Sequence, residues 1–152
     1  GWFTRQVSGD LATQSSTHHS HQHVVTQKKE RQNMHILTYI LAAVFVLAGA
    51  MKMMQPKTKL EIKMAWVKDL PSWQIKAIGA LEALAALALA LPLIFDNGLI
   101  LVPLAATGLV FLMIGAIFTH ARIKEIPMIA IPAVLGALAL WVAIWGYTDL
   151  IS

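Results

Sequence analysis

The sequence predicts an all-α fold: a four-transmembrane-helix bundle, with a short amphipathic interfacial helix between helices 1 and 2. Composition points there first. Of 152 residues, 57% are hydrophobic and only 13% charged, where a soluble domain carries roughly a quarter charged residues. Mean hydropathy is +0.64. Second, the apolar residues gather in four runs, each close to the ~20 residues that a helix needs to cross a bilayer. Third, no run alternates polar and apolar positions as a barrel strand does, and helices satisfy their own backbone hydrogen bonds in hydrocarbon.

The first span is expected at His35–Met54, HILTYILAAVFVLAGAMKMM. The second runs from about Trp73 to Phe95, with Lys76 near its entry and Glu82 inside it. The turn Asp96-Asn97-Gly98 leads into the third, about Gly98–His120, and Ala121–Ile126 leads into the fourth, about Pro127–Tyr147. Such short connections make spans two, three and four successive antiparallel neighbours. Between spans one and two lies the longer link Gln55–Ser72. Leu60, Met64, Val67 and Leu70 recur there near helical spacing, with Lys59, Lys63 and Lys68 between them, the pattern of a helix lying in the interface.

Residues 1–33 are a different kind of sequence. They hold four of the 12 Lys/Arg, two of the eight acids and four of the six His. With little apolar content and no evident periodicity, this tail is expected to be disordered. Met34 stands one residue before the first apolar run, so the expected arrangement is a membrane domain at 34–152, the tail being sequence upstream of a start at Met34. His18, His19, His21 and His23 invite a metal-site reading, but a short His tract without a fold to fix it binds metal unselectively, and none is assigned.

The other eight basic residues, Lys52 to Lys124, fall at one end of the predicted bundle. By the positive-inside rule those loops are expected to be cytoplasmic, with both termini outside. Charges placed this way address lipid headgroups, and no nucleic-acid partner is expected.

Ionisable groups within spans are costly in hydrocarbon and mark candidate sites. Glu82 lies about 15 Å of helix inside span two. The small residues Gly79, Ala83, Ala86 and Ala90 form a stripe on or beside its face, so Glu82 is expected to point at protein. Lys52 and His120 approach it from the basic end. The three form the candidate polar cluster, either an internal ion pair that fixes helix register or a proton-linked or ligand-binding site.

Several chemistries are excluded or disfavoured. The chain has no cysteine, which removes thiol nucleophiles, disulfides and Cys-ligated clusters. Beyond the tail, His35 and His120 stand at opposite faces, an unsuitable pair for one haem. There is no Gly-rich nucleotide fingerprint and no recognisable nucleophile set, so no catalytic residue and no intrinsic redox centre is assigned. Trp66, Trp73, Trp141 and Trp145 read as interfacial belt residues. Pro103 and Pro132 are expected to need local relief of a lost backbone bond.

Four segments in order resemble the DoxX-like family of small four-helix membrane proteins. They are Ala48-Gly49-Ala50-Met51-Lys52, Leu70-Pro71, Gly79-Ala80-Leu81-Glu82, and Met113-Ile114-Gly115-Ala116 running on to Thr119-His120-Ala121-Arg122. The resemblance spans Met34–Tyr147. It implies matching polar positions at Lys52, Glu82 and His120, and association with quinone-linked oxidation, without adding a cofactor motif. The expected function is therefore an accessory or structural membrane subunit of a quinone-linked redox system. A quinone contact, a membrane redox partner and a homo-oligomer go with that expectation. The alternatives are a small proton-coupled transporter using Glu82, or a membrane assembly factor.

Overall fold

The computed structural model describes the backbone of residues 2–152 and the side chains of residues 9, 11 and 13–152. Its described regular structure is helical: α1 (Trp2–Met54), α2 (Lys57–Lys63), a 3-10 turn (Ala65–Asp69), α3 (Ser72–Phe95), α4 (Leu101–Arg122), a second 3-10 turn (Ile126–Ile129) and α5 (Ala130–Ile151). Four stretches are long and apolar enough to cross a membrane: Thr13–Met54, Ser72–Phe95, Leu101–Arg122 and Ile126–Ile151.

The chain divides into two compact units, Gly1–His35 and Ile36–Ser152. In the first, the segment expected to be disordered is helical from Trp2 onward. Nothing in it forbids a helix. No proline occurs before Pro56, and the hydroxyls of Thr13, Thr17 and Thr26 donate to carbonyls one turn back. The sequence expectation rested on missing burial, and burial is indeed missing: the described side chains from Gly9 to Asn33 are exposed.

The second unit is the bundle. Leu41, Phe45, Ala86, Leu89, Val102, Ala106, Leu109, Ala139 and Val142 are buried and form its core. The outer faces are apolar too: Leu47, Leu84, Phe111, Phe118 and Trp141 are each more than 60% exposed, which suits a surface solvated by lipid. Successive antiparallel spans place the C-terminal ends of α1 and α4 and the N-terminal ends of α3 and α5 at one end of the bundle.

Small residues and prolines set the close contacts. A Cβ on Gly146 would stand 3.0 Å from Pro103 Cβ, so α5 seats directly on the first turn of α4. Pro103 and Pro132 both lie in first turns, where backbone N–H groups have no intrahelical partner to lose. The expected relief is therefore unnecessary.

The link between α1 and α3 packs inward on the bundle. Leu60 and Val67 are buried against Ile75 at the start of α3, with Met51, Met64, Trp66 and Leu70 around them. The apolar side of this short interfacial segment covers the end of the bundle, and the segment comprises α2 and a 3-10 turn.

Candidate functional site

Close backbone approach builds the site. A Cβ on Gly49 would lie 2.5 Å from the Gly79 carbonyl oxygen, and one on Gly79 would lie 2.7 Å from the Gly49 carbonyl oxygen. Only glycine at both positions lets α1 and α3 cross this closely. Because the two helices are antiparallel, Lys52 and Glu82 lie on opposite sides of this crossing, with Lys52 Cβ beside Gly79, and the long Lys52 side chain spans the offset. The Lys52 ammonium donates to both carboxylate oxygens of Glu82, Nζ–Oε1 and Nζ–Oε2 each 2.7 Å. Both side chains are buried, with 10% and 4% of their surfaces exposed. Burial removes water from both charges, so each depends on the other for compensation. Lys52 Nζ also lies 5.8 Å from the Trp66 ring centroid, within the range where an aromatic face attracts a cation.

His120, which lines the same cavity as Lys52 and Glu82, has a hydrogen-bond partner of its own. Its Nδ1 lies 3.0 Å from Glu125 Oε2, a residue that sequence reasoning did not select. The cause is the way α4 ends. Lys124 takes a left-handed backbone, φ 62°. The Glu125 N–H then donates to the His120 carbonyl at 2.9 Å, and the Lys124 N–H to the Ala121 carbonyl at 3.2 Å. These are the two bonds of a Schellman turn, which folds Glu125 back over the last turn of the helix. An acid five residues after a histidine, across a helix end, was the available signal.

Both pairs line one cavity of about 500 Å³. Lys63 and Thr119 complete its polar lining, and Trp66, expected in the interfacial belt, lines it as well, half-buried beside Lys52. Phe45 and Ala48 from α1, Ile78 from α3, Phe111 and Met113 from α4 and Leu135 from α5 supply apolar walls. Apart from Glu82, which lies near mid-span, the polar lining comes from the basic end of the bundle, and the apolar lining continues toward mid-span. Such a cavity is shaped for an amphiphile whose polar head meets N–H donors and carboxylates while its hydrocarbon stays among Phe, Met and Leu. Among the described residues, no three His, Cys, Asp or Glu side chains converge as a metal site requires.

Four apolar spans around an internal ion pair define a multi-pass integral membrane protein. Within that class the chain belongs to the DoxX-like family, whose family model matches residues 36–142. That match covers the bundle through most of α5 and leaves out the first unit. No curated protein and no solved structure matched the chain significantly.

Proposed function

We propose that this protein is an accessory subunit of a quinone-linked membrane redox system, and that its cavity holds the head of a lipophilic quinone. The observation that carries the proposal is the cavity itself. Its volume of about 500 Å³ accommodates a substituted ring with the start of an isoprenoid tail. Lys52 and His120 are the groups that would meet ring oxygens, and the α1, α4 and α5 walls would receive the tail. A bound quinone supplies electron-carrying chemistry; the chain's own residues bind, orient and shield the ring. Within the lining the Lys52 and Glu82 charges offset each other. In this reading the basic end faces the cytoplasm, by the positive-inside rule.

The transporter alternative has less support. Lys52 engages both oxygens of Glu82, so a transported cation would first have to displace the ammonium. Purification from native expression in mild detergent tests the proposal, with solvent extraction for bound quinone and identification of co-purifying proteins. Sub-stoichiometric quinone, combined with no tryptophan quenching by a short-tailed quinone, would overturn it.

A further inference from the structure

We infer that the basic end of the bundle is a binding surface for anionic lipid headgroups, centred on Lys59, Lys63 and Lys68. Within Ile36–Ser152 all eight Lys and Arg residues lie at this end, while the opposite end carries Asp96 and Asp149. Lys52 is compensated by Glu82 and Lys57 is within 3.7 Å of Glu61. Lys59, Lys63, Lys68, Lys76, Arg122 and Lys124 are exposed and make no ion pair among the described residues. Glu125 is engaged by His120, which leaves Asp69 as the nearby acid without an ion pair.

Contacts gather these cations onto one rim. Leu60, with Lys57, Lys59 and Lys63 within three residues, and Val67, followed by Lys68, are buried with Ile75, and Lys76 follows Ile75 directly. The Lys57 ammonium reaches the Lys68 carbonyl at 3.5 Å. Lys63 shares a cavity with His120 and Glu125, which fixes α2 beside the end of α4. Because α2 and the following turn are packed down by their apolar side chains, they present the lysines in a fixed array.

That array is unfavourable when left alone. Lys59 and Lys63 stand one turn apart on α2, a spacing at which like charges repel. An anion between them relieves that repulsion and gains charge-assisted hydrogen bonds. The rim lies where headgroups of the adjoining leaflet lie, so the phosphate of an acidic phospholipid is the anion that meets it. Lys63 belongs to both rim and cavity lining, so a headgroup seated there also borders the cavity mouth.

The test uses the full chain in mixed micelles, with spin-labelled phosphatidylglycerol and phosphatidylcholine compared for the fraction of lipid immobilised by the protein. The expected result is a preference for phosphatidylglycerol of about fivefold, the size that one lysine near an anionic surface supplies. It should shrink at high ionic strength and fall by well over half in the triple variant Lys59→Gln/Lys63→Gln/Lys68→Gln, which keeps Lys76, Arg122 and Lys124. Should the triple variant aggregate, Lys63→Gln alone is expected to reduce the preference at least twofold. Equal association of the two lipids, or full preference retained in a folded variant, overturns the proposal. So does inorganic phosphate that abolishes the preference at matched ionic strength, since the site would then be one for the free anion.

Discussion

Gly49 and Gly79 set the distance at which the bundle's charges meet: their contact holds antiparallel α1 and α3 close enough for Lys52, whose Cβ lies against Gly79, to reach Glu82 with its ammonium. The register of α1 against α3 is therefore fixed twice, by backbone contact and by the Lys52–Glu82 pair. Loss of either should be felt by the other.

Substituting Gly49→Ala or Gly79→Ala is expected to destabilise the protein by about 1–3 kcal/mol, the range for overpacking a tight contact. The clash is with backbone, which has no rotamer to move. Gly108→Ala and Gly115→Ala are the controls, since added Cβ atoms there meet nothing within 4 Å. Thermal aggregation followed by size exclusion in detergent should separate the two pairs, with the controls at or above the parent midpoint.

Removing one partner of the buried ion pair strands the other. Lys52→Met and Glu82→Met are each expected to cost about 3–5 kcal/mol, while the double variant should recover most of that loss. A double-mutant cycle on detergent-solubilised protein reads this directly. A double-variant loss equal to the sum of the two single losses would show that the pair contributes no coupling.

The His120–Glu125 pair should behave otherwise, because its side chains are 15% and 29% exposed. Glu125→Gln is expected to change stability by less than about 1 kcal/mol, as for solvent-screened pairs. Its effect should appear in ligand affinity, through a reoriented His120 ring. Titration with a short-tailed quinone, followed by tryptophan quenching, compares the two quantities.

Gly98 offers a case where conformation alone decides. Its φ is +70° and the nearest atom to an added Cβ is Leu101 Cδ1 at 3.8 Å. Gly98→Ala should therefore cost about 1–2 kcal/mol through backbone strain, without the packing collapse expected at Gly49. Thermal midpoints of the two variants, measured side by side, check the ranking.

The spans were legible because hydrocarbon imposes a length and a composition that few other environments impose. Lys52 and Glu82 were legible for a related reason: charges at that depth need each other. Glu125 was not, since in sequence it is one more acid in a loop, and only the left-handed turn at Lys124 brings it back to His120. Trp66 escaped likewise. A tryptophan beside lysines suits a membrane interface, and its inward turn depends on where Lys52 ends up. The helical first unit was missed because its expected disorder was argued from burial, whereas its backbone satisfies local rules without any.

One consequence of the Lys52–Glu82 pair concerns the order in which the protein is made. The chain emerges with α1 first, and α3 follows bearing a carboxylate that is costly in hydrocarbon. Its counter-charge sits on the preceding span, so insertion of α3 is expected to be more favourable while α1 is still beside it. A charge pair that looks like static glue in the finished bundle would thus also favour a particular order of assembly, one helix easing the entry of the next.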